Sequence, residues 1–174
     1  EYRNLMRIRQ KSSGWIKTPF PVEHRGNVLV MTLLGNAEDG VAAPRLKDVK
    51  NEDLESVEGP TGKILRTWED LYLHCCRMLR DLFANCNLVH GDLSEYNLLY
   101  FSGELYMIDV SQSVEMDHPQ ALDFLKRDCQ NVSSFFQKNG VDVLPLRSLY
   151  QWVVSDVEED LVSLFEGDRD QVDF

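Results

Sequence analysis

Leu88-Val89-His90-Gly91-Asp92-Leu93-Ser94-Glu95-Tyr96-Asn97, followed after a short predicted hairpin by Ile108-Asp109, is the stretch from which the rest of the chain is read. Asp92 and Asn97 are separated by four residues. At that spacing a phosphoryl-transfer loop sets a carboxylate against the acceptor hydroxyl and an amide oxygen on a magnesium ion. Asp109 supplies the second metal ligand in this reading. Transfer of a γ-phosphoryl group concentrates negative charge on oxygens that already repel one another, so the protein must hold hard cations with oxygen ligands and aim a base at the nucleophile. Asp and Asn meet both needs. Leu98-Leu99-Tyr100 and Leu105-Tyr106-Met107-Ile108 read as two short strands around Phe101-Ser102-Gly103-Glu104, and that hairpin brings Asn97 and Asp109 side by side. The bland alternative is a polar turn between buried strands, with His90 and Asp92 capping backbone groups. The downstream strand and its Asp argue against it.

The flanking words extend the match. His90-Gly91-Asp92-Leu93-Ser94-Glu95-Tyr96-Asn97, Ile108-Asp109-Val110-Ser111-Gln112-Ser113-Val114-Glu115, Asp117-His118-Pro119 and Phe124-Leu125-Lys126-Arg127-Asp128-Cys129-Gln130-Asn131-Val132 together closely resemble the RIO family of atypical kinases. Within it they look nearest to the branch of the first and third RIO kinases, and the resemblance runs from about Glu1 to Gly140. One departure is Gly91, where that branch usually carries Ala; both are small, and the exchange is expected to leave the loop unaffected.

The resemblance implies an α+β, protein-kinase-like fold. Residues 1–35 would be the end of an amino-terminal lobe (helix, hairpin and hinge), and 36–174 a helical carboxy-terminal lobe with a flexible acidic insertion near 50–66. It implies ATP and Mg2+, with Mn2+ as a substitute. Asp92 becomes the catalytic base, Asn97 and Asp109 the metal ligands, and Asp109 also the residue on which phosphate capture has been proposed. Met31, Thr32 and Leu34 would lie against adenine, Met31 as gatekeeper, with Leu99 and Ile108 as the apolar floor beneath the purine. Glu1 becomes a candidate partner for a lysine on a preceding strand. The implied activity is that of a serine/threonine kinase or ATPase serving maturation of the small (40S) ribosomal subunit, with the pre-40S particle and its assembly factors as partners.

Some kinase parts are missing from the sequence. There is no glycine-rich phosphate loop and no strand-borne Lys for the α and β phosphates, so the chain reads as a carboxy-terminal lobe that would be inactive alone. Val110-Ser111 follows Asp109 where conventional protein kinases carry Phe-Gly, and a helix is predicted soon afterwards. No long activation segment to dock a peptide fits in between. Ser94 stands where many such kinases place a Lys. Two other readings stay open: a small-molecule kinase of the aminoglycoside or choline type, and a nonenzymatic scaffold. Ser111-Gln112-Ser113-Val114-Glu115 speaks against the first, and intact Asp92, Asn97 and Asp109 against the second.

With 174 residues, 43% of them hydrophobic and 27% charged, one buried core is expected. A net charge of −11 argues against a nonspecific electrostatic grip on nucleic acid by this stretch. No apolar run of about 20 residues is present, and a cytoplasmic setting, with passage through the nucleus, is the expectation. Cys75, Cys76, Cys86 and Cys129 form no CxxC pair and read as free thiols. His74-Cys75-Cys76 cannot face one metal ion, because adjacent helical residues point about 100° apart.

Periodicity places the helices. Leu71, Cys75, Met78, Leu82 and Cys86 recur at helical spacing over Thr67 to Cys86, with Thr67 and Asp70 at its start. A second helix is predicted from Asp117-His118-Pro119 to a stop at Gly140, with a break near Asp128 and His118 as its cap. A third spans about Leu146 to Val154, and 156–174 is a short helix or loose. Pro21 to Met31 reads as a hairpin turning at Arg25-Gly26, and Glu52 to Lys63 as a mobile loop. An isolated lobe is expected to self-associate through its uncovered apolar face.

Overall fold

A computed structural model describes residues 1–55, 65–157 and 160–169. Helix α1 (Tyr2–Lys11) buries Leu5 and Ile8. Strands β1 (Pro21–Arg25) and β2 (Val28–Met31) form the expected antiparallel hairpin. Gly26 at its turn has φ +57, a value that glycine accepts without steric cost. The chain then makes a second small ladder, β3 (Gly35–Asn36) against β4 (Val41–Ala42), and a 3-10 turn at Leu46–Asp48.

Part of the predicted mobile insertion is helical. Helix α2 (Asn51–Glu55) opens with Asp53 Oδ2 accepting from the Lys50 N–H at 2.7 Å, and Leu54 is buried. Asn51 Oδ1 accepts from Trp68 Nε1 at 2.7 Å, fixing α2 to the next helix. The acidic Glu52 and Asp53 in its first turn suit the positive end of the helix dipole. The rest of that expectation, over 56–64, lies outside the described residues.

Helix α3 (Trp68–Ala84) begins with a full capping box, the Thr67 side chain accepting from Asp70 N and the Asp70 carboxylate from Thr67 N. Its buried face includes the predicted Leu71, Cys75, Met78 and Leu82. Strand β5 (Leu88–Val89) leads into the catalytic-loop stretch, and β6 (Leu98–Phe101) and β7 (Glu104–Met107) pair from Leu98↔Met107 to Phe101↔Glu104. Ser102 and Gly103 both adopt positive φ, as a two-residue hairpin turn of this hand requires. Strand β8 (Val114–Glu115) returns antiparallel to β5.

Helix α4 (Ala121–Lys138) differs from the expectation in two ways. It starts after Gln120 rather than at Asp117-His118-Pro119, and His118 caps the preceding turn instead, its Nδ1 accepting from Gln120 N at 3.2 Å. It also runs unbroken through Asp128, whose carboxylate is spent outside the helix and does not compete with its ladder. Helices α5 (Leu146–Val154) and α6 (Leu161–Arg169) follow. Tyr72 of α3 and Phe136 of α4 pack at 5.4 Å between ring centroids, and Leu149 of α5 is fully buried in the same core. The four cysteines are buried free thiols in it. None of the described helices is long and apolar enough to cross a membrane.

Candidate active site

The loop between β5 and β6 is held from beneath by α4. Asp128, fully buried, accepts from Gly91 N and Leu93 N, both at 2.9 Å. Asn131, one turn on, donates to the Leu93 carbonyl at 3.2 Å. Burial raises the Asp128 carboxyl from its ordinary 3.8 to about 6, and the two backbone donors pull the other way. Sequence reasoning missed this residue, since a lone Asp in an amphipathic helix reads as a solvated side chain.

His90 is equally buried and has both ring nitrogens in use. Nδ1 accepts from Asp92 N at 3.3 Å, which leaves Nε2 to donate to the Ile108 carbonyl at 3.2 Å. That pattern needs the neutral ring, and burial lowers its pKa accordingly. His90 thereby ties the loop before Asp92 to the strand end before Asp109.

Gly91 corrects a sequence expectation. Its φ is +83, and a Cβ there would stand 3.2 Å from the Gln112 carbonyl oxygen. Smallness is not enough at this position; the backbone calls for glycine.

Asn97 and Asp92 meet directly. The Asn97 amide nitrogen donates to the Asp92 carbonyl at 2.9 Å and to its carboxylate at 3.2 Å, while Ile108 N donates to the Asn97 carbonyl at 3.0 Å. The amide oxygen of Asn97 is left without a partner among the described residues. Asp109, one residue beyond Ile108, is exposed and left-handed at φ 54, ψ 57. One of its oxygens accepts from Ser111 Oγ at 2.6 Å and the other carries no hydrogen bond. The structure therefore brings Asp92, Asn97 and the Ile108-Asp109 corner together, as the sequence predicts.

This donor set suits a magnesium ion. No group of three or more His, Cys, Asp or Glu able to hold a metal occurs among the described residues. Magnesium does not need one, because it keeps several waters and takes one or two carboxylates plus phosphate oxygens. An unpaired amide oxygen and an exposed carboxylate answer that description.

The adenine-side residues lie along one chain path. Thr32 exchanges its N–H and hydroxyl with Phe20, and Leu34 accepts from Ala43 N at 2.7 Å. Pro44 then accepts from Tyr100 N at 3.0 Å and Arg45 bridges Leu99, so the segment after Leu34 is laced onto β6. Met31, Leu34, Leu99 and Ile108 are all half-buried and Thr32 is exposed. Glu1 is exposed, and its side chain caps nothing.

A family model described as the RIO domain matches residues 1–149. The chain belongs to the RIO family. It is 46% identical over 153 residues to the serine/threonine-protein kinase rio1 of Dictyostelium discoideum, covering 88% of this chain and 24% of that protein. It is 42% identical over 174 residues to serine/threonine-protein kinase RIO1 of Saccharomyces cerevisiae, covering 99% and 32%. Against human serine/threonine-protein kinase RIO3 the figures are 40% over 173 residues, 96% and 30%. This RIO domain thus groups with the RIO1 and RIO3 branch and spans about a quarter to a third of these relatives. The solved Rio2 kinase from Chaetomium thermophilum, in its ADP/Mg2+-phosphoaspartate complex, matches with a TM-score of 0.56 at 23% identity, over 97% of this chain and 48% of that one. That likeness establishes the RIO variant of the protein-kinase fold.

Proposed function

We propose that this RIO domain is the catalytic-loop part of a Mg-ATP-dependent serine/threonine kinase or ATPase. The observation that carries the reading is the Asp92–Asn97 contact beside the Ile108-Asp109 corner. Asp92, exposed and oriented by Asn97, accepts the proton of the attacking hydroxyl or water. Asn97 Oδ1 and Asp109 would hold magnesium, which when bound neutralises charge on the phosphates. Neutral His90 and buried Asp128 keep the loop backbone still while this happens. Leu34 N–H and the Thr32 carbonyl, unengaged among the described residues, suit adenine recognition, with Leu99 and Ile108 beneath the base. Manganese, also an oxygen-seeking divalent ion, would fit the same donors.

The short path from Asp109 to α4 leaves little room for a peptide-docking segment and favours an ATPase cycle. In that cycle the γ-phosphoryl group passes to the Asp109 carboxylate, releasing ADP, and water then cleaves the acyl phosphate. Relatedness to the RIO1 branch extends the proposal to work on the pre-40S particle in the cytoplasm.

ATP turnover and phosphoprotein chemistry of the full-length protein test the reading. Asp92→Ala should leave nucleotide binding largely intact and abolish turnover; Asp109→Ala should weaken binding that depends on magnesium. An acid-labile phosphoprotein lost in Asp109→Ala would support the ATPase cycle and acid-stable phosphoserine a protein kinase. Turnover unchanged in Asp92→Ala would sink both.

A further inference from the structure

Helix α1 and the segment carrying Asp109 lie far apart in sequence and are joined at two points. Asn4 Nδ2 donates to the Val110 carbonyl at 2.8 Å, and Arg7 reaches Glu115 at 2.9 Å. The two residues stand three apart, hence on one face of α1. Between their anchor points lies the 3-10 turn Val110–Gln112, with Val110 fully buried.

On the opposite flank, among the described residues, the catalytic loop and its leading strand hydrogen-bond this segment at its ends only. His90 takes the Ile108 carbonyl, and β5 pairs with β8 through Val89↔Val114 and Leu88↔Glu115. From Asp109 to Ser113, Asn4 is the one side chain from another element that bonds the backbone among the described residues. That gap contains Asp109 in the left-handed region, a conformation that a non-glycine residue keeps only where its surroundings over-determine it.

We propose that Asn4, supported by Arg7, is a positioning residue for Asp109, so that the seating of α1 sets where the carboxylate stands. The inference rests on the reading of Asp109 as a magnesium ligand. Asn4 carries most of the effect, because Arg7 and Glu115 are both substantially solvent-exposed and their attraction is screened.

The test pairs hydrogen exchange across 109–115 with magnesium titration of ATP binding, both on the full-length protein. Asn4→Ala should raise exchange at the Ser113 amide, which donates to Val110, roughly fivefold, the factor carried by one hydrogen bond of ordinary net strength. Exchange in α3 to α5 should stay as it was, and the magnesium half-saturation should rise by a similar factor. Arg7→Glu should give a smaller change that the double variant Arg7→Glu/Glu115→Arg reverses. Unchanged exchange over 109–115 in Asn4→Ala overturns the proposal, as does raised exchange without a magnesium shift. Should Asn4→Ala fail to fold, the Arg7 pair decides alone, and failure of the charge swap to restore the segment overturns it. Asp109→Ala separates the two layers. If that variant keeps its magnesium dependence, the metal reading fails; if it loses it while Asn4→Ala shifts nothing, only the positioning role fails.

Discussion

Asp128 and His90 show how two buried titrating groups beneath one loop work against each other with pH. Asp128 is raised to about 6, so between about 4 and 6 the folded chain holds a proton that the unfolded chain has released. Its contribution to stability falls as pH rises through that window, by about 1.4 kcal/mol per unit at most. His90 is lowered by burial, so the folded chain keeps it neutral where the unfolded chain protonates it. The stability it contributes is full above its ordinary 6.5 and is lost as pH falls below that value. In Asp128→Asn the first slope disappears, and urea midpoints measured from pH 4 to 6.5 should climb more steeply with pH than in wild type. The variant should also be less stable at neutral pH, since Gly91 N and Leu93 N meet different carboxylate oxygens and the amide replaces one of them with an NH2 donor; a buried backbone donor orphaned in this way costs about 1 to 3 kcal/mol. The nucleating residues of the site were legible because Asp92, Asn97 and Asp109 sit in one short stretch. Asp128 and Asn4 were not, because what defines them is a partner far away along the chain.

Elements with strong local signals were legible and those made by tertiary pairing were not. The α3 start carried Thr67 and Asp70 at capping-box spacing, and the β6–β7 turn carried Ser102-Gly103 between alternating strands. Strands β5 and β8 are two residues each, too short for any period to show, and exist because Leu88 and Val89 find Glu115 and Val114. Helix α2 escaped notice among acidic residues, its anchors being the tertiary contacts of Leu54 and Asn51. The end of α4 was placed correctly at Gly140 and its start was not, because the Asp117-His118-Pro119 turn satisfies its own backbone before the helix begins. At this scale Thr67→Ala should cost about 1 kcal/mol in thermal or urea unfolding, the usual worth of an N-cap. It should leave magnesium dependence unchanged, since the Thr67 hydroxyl serves the cap of α3 and hydrogen-bonds no residue of the site.

Across the whole molecule, α3, α4 and α5 pack into one core against which β5, the strand leading into the catalytic loop, is laid, while the small β1–β2 hairpin packs against α1. Val22, Val28, Val30 and Leu33 stand exposed around that smaller hairpin. The kinase-like layout could be inferred only through family resemblance, because composition and period say nothing about which helix meets which strand. The core also holds every thiol of the chain at 1% exposure or less. Burial pushes Cys86 and Cys129 up to about 12 and raises Cys75 and Cys76 as well, so none presents a thiolate near neutral pH. Maleimide modification should therefore be negligible in the native protein and should appear for all four sites together when the core opens, read by mass spectrometry. The native sulfurs thus amount to an internal stopwatch: without any engineered label, their alkylation rate times how often this core breathes.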